Sequence, residues 1–275
     1  MKTIKITLTA LLICNLVYQP LTAKILPIIA IDKPAGQTVE QAAPVYNKQT
    51  PQLLIQAKNL QFLSQVIAKD YFYINQLVHE DKATIEIERS LEDITTAFNI
   101  LYSSIKDEEV KNLLTYLIDI RKDCNTLLDM AYSKENGTEI LDYSEAMFEG
   151  AQLIIEHLQS KNNINEDEMY DVVFQQKLIL QRISKYYIAF QAGFNDPLII
   201  SQLKKSIQQF EQGVSAISDH EYTDELIPEV TRIKKYWSLS KKYYLGMEQG
   251  DLTLVIYIST DHLMTSLDML LDTHT

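Results

Sequence analysis

The sequence predicts an all-α protein, built as two tandem antiparallel four-helix bundles that follow a signal peptide and an extended linker. Three observations predict it. Gly and Pro number only 7 each in 275 residues, roughly half the usual share, which leaves too few turns for a β-sandwich or barrel. Pro20, Pro27, Pro34, Pro44 and Pro51 precede residue 52 and only Pro197 and Pro228 follow it, so the rest of the chain can run in long uninterrupted helices. From Gln52 onward apolar residues recur at three- and four-residue steps, and the pattern repeats at an offset of 116.

Composition sets the outer limits. Hydrophobic residues make up 46% and charged residues 23%, enough apolar material for a sizeable core and too much for a disordered chain. With 25 Lys+Arg against 37 Asp+Glu the net charge is −12. That balance argues against general nucleic-acid binding, which needs a basic face to displace counterions.

The N-terminus reads as a secretory signal over residues 1–23. Lys2 and Lys5 open it, residues 10–17 are apolar, Pro20 breaks the helix, and Ala23 is the small residue at the expected cut. An uncleaved N-terminal anchor is the alternative. Cleavage removes Cys14 and leaves Cys124 alone in an apolar helical pattern, where it reads as a small buried hydrophobe with no internal disulfide partner. It also leaves 23 basic against 37 acidic residues, a net charge of −14. No later stretch reaches the ~18 apolar residues of a membrane span. Residues 24–51 hold four of the prolines without amphipathic period and read as a linker.

The helices follow in order. The first is expected over 52–79, with Leu53, Leu54, Ala57, Leu60, Leu63, Ile67, Phe72 and Ile74 inward; the second over 83–105; the third over 108–133, capped by Asp107. Asn136-Gly137-Thr138 reads as a turn, with Thr138 capping a fourth helix over 139–160. Asn165, with Glu168 three residues on, suits the start of a fifth over 166–192. Asp196-Pro197 opens a sixth over 197–218. The seventh is expected over 224–248, starting later or kinking at Pro228, and the eighth over 252–272.

The repeat is visible in particular residues. Gln65-Val66-Ile67-Ala68-Lys69-Asp70-Tyr71 resembles Gln181-Arg182-Ile183-Ser184-Lys185-Tyr186-Tyr187, and the same offset pairs Ser90 with Ser206, Asp107 with Thr223, and Thr115 with Thr231. Residues 138–159 likewise fall over 254–275. Residues 52–160 and 161–275 are then two copies of one four-helix unit, joined internally by short loops.

The repeated segment carries a family resemblance. Ala57-Lys58-Asn59-Leu60-Gln61-Phe62-Leu63-Ser64-Gln65-Val66-Ile67-Ala68-Lys69 resembles A-G-R-Q-R-M-L-S-Q-R-M-A-K, which opens the first helix of the PilJ/NarX-type sensor domain of type IV pilus chemotaxis transducers and nitrate sensor kinases. The second copy runs from Val173 to Lys185, and Ser206-Ile207-Gln208-Gln209-Phe210-Glu211 and Tyr236-Trp237 are similar to that domain's later helices. The resemblance implies periplasmic, helical, ligand-sensing bundles, often dimeric. The family's anion-binding arginine falls on Gln61 and Lys177, its second arginine on Val66 and Arg182, and its glycine on Lys58 and Phe174. Copy two therefore keeps more of the cationic character an anion site needs, although Lys lacks the planar fork of Arg.

These residues define the candidate ligand site: Lys177, Arg182, Lys185 and Gln181 in copy two, and Gln61, Ser64, Gln65 and Lys69 in copy one. Lys177 and Arg182, five apart, do not share a helix face, whereas Arg182 and Lys185, three apart, can. Their alternative role is as solvated charges with packed stems. The recurrence of Gln65 with Gln181 and of Lys69 with Lys185 suits a shared interhelical contact. The cluster of Tyr71, Tyr73, Tyr186, Tyr187, Tyr236, Trp237, Tyr243 and Tyr244 either lines a ligand pocket or fills bundle margins with its phenols in water. None of His79, His157, His220, His262 and His274 has a Glu three residues before it, and no His-Glu-x-x-His or Cys-x-x-Cys-His occurs. No metal, cofactor or catalytic set is expected.

The expected function is a non-enzymatic periplasmic or secreted sensor-like module that binds a small molecule, an anion among the candidates, or an envelope partner such as a membrane receptor or a second copy. The other reading is a structural protein of the cell envelope with degenerate ligand sites.

Overall fold

The computed structural model describes residues 50–162, 168–250 and 252–273. The signal, nearly all of the linker, and the helix start expected at Asn165 lie outside the described residues. Among the described residues the protein is all-α, with eight α-helices and no strand: α1 (Thr50–Asn75), α2 (Glu80–Ser104), α3 (Glu108–Leu128), α4 (Lys134–Asn162), α5 (Glu168–Gln191), α6 (Pro197–Asp219), α7 (Ile227–Leu245) and α8 (Thr253–Asp272). A 3₁₀ turn, Met247–Gln249, follows α7. Shifted by 116, the bounds of α1–α4 fall within three residues of those of α5–α8 at the ends the structure describes for both, α4's C-terminus excepted.

Packing follows the same order. α1 lies against α2 and α4, and α3 bridges α2 to α4; α5 lies against α6 and α8, and α7 bridges α6 to α8. α1 and α5 then pack against each other. The contacts Lys58–Asp171, Phe62–Phe174 and Gln65–Lys185 advance along both helices together, so α1 and α5 run parallel. With neighbours on three sides, each is buried almost all round, in contrast to the one-sided outer helices. Leu54, Leu60, Ile67 and Phe72 of α1 join Ile94, Leu101, Leu114, Met147 and Ile154 in one apolar cluster. Leu180, Ile183 and Tyr187 of α5 join Phe210, Ile233, Trp237 and Leu263 in another.

Local chemistry sets the helix ends. Asp107 caps α3, accepting from the Glu109 and Val110 N–H groups, and Asp196 caps α6 ahead of Pro197. Pro228 sits in the first turn of α7, so that helix begins late and does not kink. Two expectations are corrected. α3 stops at Leu128, not at 133. α4 begins at Lys134, so Asn136-Gly137-Thr138 is helix and not a turn. Ser133 Oγ accepts from the Asn136 N–H at 3.0 Å and starts the helix one turn earlier. Gly137 is there for close approach: a Cβ would strike the ring of Phe194, which comes in from the connection between α5 and α6.

Cys124 is buried on α3, and burial pushes its thiol up to about 12. The aromatic cluster differs from marginal filling. Tyr73, Tyr187 and Tyr244 are among the largest fully buried side chains, and Tyr71, Tyr186 and Trp237 are buried as well. Tyr186, Tyr187, Trp237 and Tyr244 belong to the apolar cluster of α5–α8, where Tyr187 meets Tyr244 and Phe210 meets Trp237 ring to ring, while Tyr71 and Tyr73 belong to that of α1–α4.

Candidate functional site

The parallel α1–α5 seam carries an uncommon load of buried polar side chains: Lys58, Gln61, Ser64, Gln65, Lys69 and Asp70 from α1, and Gln176, Gln181, Ser184 and Lys185 from α5. Such groups are tolerated in a core only when paired. Gln61 Nε2 donates to Gln152 Oε1 on α4 at 2.9 Å and Gln65 Nε2 to the Ser144 carbonyl at 2.8 Å. Ser64 Oγ donates back to the Gln61 carbonyl at 2.8 Å. Lys58 reaches Asp171 of α5 at 2.9 Å.

The densest node surrounds Lys185, which is fully buried. Its Nζ donates to Gln65 Oε1 at 2.6 Å, to Ser144 Oγ at 2.9 Å, and to the Glu145 carboxylate. Arg182 Nη2 holds the other Glu145 oxygen at 3.0 Å and also reaches the Tyr186 hydroxyl at 3.0 Å. The Arg182 guanidinium lies 4.2 Å from the centre of the Phe148 ring. Burial lowers the Lys185 pKa to about 8, outweighing the attraction of Glu145. Burial also works against the Glu145 carboxylate, but Lys185 and Arg182 together prevail and hold it below its usual range.

A cavity of about 330 Å³ opens beside this node, between α4, α5 and the start of α6. Leu141, Phe194, Leu198 and Ile199 form its apolar wall, and Asp142, Glu145, Tyr186 and Asp196 supply polar groups. Its charged lining residues are all carboxylates. Asp142 has its pKa raised by partial burial and by the neighbouring Glu139 and Glu145 charges. The lining therefore repels a free anion, although two cations stand behind Glu145.

The eight sequence-selected residues divide accordingly. Gln65, Lys185 and Arg182 meet at the node, with Ser64 and Gln61 just along α1. Lys177 lies apart, paired with Asp268 on α8. Lys69 pairs with Asp70 at 3.2 Å and Glu86 at 3.3 Å, and lines a separate small cavity with Gln181. Lys185 and Arg182 are not solvated charges: their side chains are 0% and 11% exposed. Sequence reasoning missed Glu145, Ser144 and Asp142. The signal was present in the offset, which places Ser144 over Thr260 and Glu145 over Asp261, a hydroxyl–acid pair in each copy.

The histidines are structural where they are described. His79 stacks on Tyr257 and His262 on Tyr236, while His157 lies 3.6 Å from Asp107. Among the described residues, no three His, Cys, Asp or Glu side chains converge to hold a metal, and no helix is long and apolar enough to cross a membrane.

Fold and site together define an all-α helical bundle protein with a charged buried seam. Against protein-family models, curated proteins and solved structures, the chain has no match.

Proposed function

We propose that the protein is a non-enzymatic, sensor-like module of the periplasm or extracellular space, related to the PilJ/NarX-type sensor domain by its doubled signature helix, and that it binds a small molecule. The observation that carries this reading is the cavity of about 330 Å³ set directly against the Lys185–Glu145–Arg182 node. That volume suits a small organic ligand, and a mostly apolar wall with a few convergent polar groups is the usual form of such a site. A molecule seated there touches Glu145 and Tyr186, and through Glu145 it bears on Lys185 and the α1 contact at Gln65. Occupancy is thereby coupled to the seam between the signature helices, which is what a sensor requires. An apolar body carrying a neutral or cationic polar group fits the acidic lining better than a bare anion does.

A thermal-shift screen of small organic molecules and inorganic anions tests the reading. Stabilisation by an organic ligand that is lost in Leu198→Trp, where bulk is added to an exposed wall residue, is the expected result. No stabilisation by any compound would remove it. The second reading, a structural envelope protein with degenerate sites, is favoured by the absence of both family arginines from copy one, where Gln61 and Val66 stand instead. It expects co-purification with an envelope partner and no ligand shift.

A further inference from the structure

The 116-residue offset brings two sites of the seam into comparison, and they are not in the same state. At the first, the Lys185 ammonium sits among Gln65 Oε1, Ser144 Oγ and the Glu145 carboxylate. The matching positions are Lys69, Gln181, Thr260 and Asp261, and all four line one cavity of about 40 Å³. Here the lysine is elsewhere. Lys69 is drawn to Asp70 and to Glu86 on α2, where the matching residues, Tyr186 and Gln202, carry no charge. Asp261, one methylene shorter than Glu145, is held by Lys82 at 2.6 Å.

Of the matching acceptors, the Thr260 hydroxyl is engaged by Ser184 at 3.0 Å and Tyr244 at 2.7 Å and Asp261 by Lys82, which leaves the Gln181 amide oxygen at the cavity. Gln181 Oε1 is buried and has no hydrogen-bond partner among the described residues, in contrast to Gln65 Oε1. The hydroxyl of Tyr73, 1% exposed and lining the same cavity, likewise has none. Buried polar atoms of this kind are costly unless something fills the space between them. About 40 Å³ has room for roughly three water-sized groups. Its charged lining residues are Glu86, Asp261 and Lys69; Lys82 holds Asp261 from outside, and burial pushes the Asp70 carboxyl beneath it well above the usual carboxylate range.

We propose that this cavity binds a small ammonium cation, ammonium itself or methylammonium, which donates to Gln181 Oε1 and the Tyr73 hydroxyl in the place that the Lys185 side chain fills at the matching site. The inference is independent of the ligand cavity beside Glu145 and can stand if that reading fails. The ammonium group that Gln65 Oε1, the counterpart of Gln181 Oε1, accepts from at the matching site sets the sign of the ligand charge. The unpartnered acceptor and hydroxyl call for a hydrogen-bond donor, and the cavity's size excludes larger amines.

Thermal unfolding in ammonium, methylammonium, potassium and choline chloride at matched ionic strength tests it, with the full chain as probe target. Ammonium or methylammonium is expected to raise Tm over choline by about 4 °C at roughly ten times its Kd. Gln181→Leu and Tyr73→Phe remove unpartnered atoms at nearly constant volume, so both variants are expected to fold and to lose most of the shift. With ¹⁵N-ammonium, a bound resonance in slow or intermediate exchange is expected in the wild type and not in Gln181→Leu. No shift over choline, an equal shift with potassium, or a shift unchanged in both variants would overturn the proposal.

Discussion

Lys185 on α5 donates a 2.6 Å hydrogen bond to Gln65 on α1, joining the two helices at a point where both side chains are out of water. The bond places a cation in the core, and the opposite charge that balances it there is the Glu145 carboxylate on α4, with Gln65 Oε1 and Ser144 Oγ accepting its other hydrogens. An interhelical contact of this sort trades stability for a defined register.

The pair is expected to respond asymmetrically to mutation. Glu145→Gln leaves Lys185 and Arg182 without their shared carboxylate, and should cost about 3 kcal/mol. Lys185→Met removes the desolvated charge itself while Arg182 still neutralises Glu145, and should fall within about 1 kcal/mol of the wild type. Urea unfolding of the two variants checks the order. Equal losses would show that the buried lysine, and not its charge balance, is what matters.

The same lysine predicts a pH dependence. Its folded pKa is lowered from 10.5 to about 8, chiefly by burial. Between those values the unfolded chain holds the proton that the folded protein has released, so stability rises with pH in that window. Relative to Lys185→Met, the wild type should gain on the order of 1–2 kcal/mol between pH 7.5 and 9.5. Above pH 10 burial of Tyr73, Tyr143 and Tyr244, whose phenols are all pushed up, reverses the trend because the unfolded phenols ionise first. Denaturation curves across the window, in both proteins, read the difference.

Gly137→Ala should destabilise by about 1–3 kcal/mol despite the higher helix propensity of Ala, because the added Cβ meets the Phe194 ring. Pairing it with Phe194→Leu, which vacates part of that space, should recover some of the loss. Additive losses in a double-mutant cycle would refute the contact.

Cys124 is buried and its thiol is raised to about 12. Maleimide labelling at pH 8 should be slow in the folded protein and rapid in urea, since the thiolate is the reactive species. Rapid labelling of the native state would contradict its burial.

Much of the helical framework was legible because it rests on local chemistry. Asp107 and Asp196 were readable as caps, and the three- and four-residue spacing of Leu54, Leu60 and Ile67 marked an inward face. Gly137 was misread because a glycine kept for tertiary contact looks the same in a sequence as one kept for a turn. The site was half legible. Gln65, Arg182 and Lys185 were selected, but Glu145, which brings Arg182 and Lys185 together, carried no local mark beyond its matching acid 116 residues on.

The sequence by itself determined the helical class, most helix ends, the repeat and the buried thiol, since each depends on periodicity or on neighbours within a turn. Only the tertiary structure decided that α1 and α5 run side by side, that their lysines are buried, and that two matching lysines take different partners. Lys69 and Lys185 share a motif, but one faces Glu86 on α2 and the other Glu145 on α4. A buried charge goes to whichever opposite charge the packing brings within reach, and that depends on elements far away in the chain.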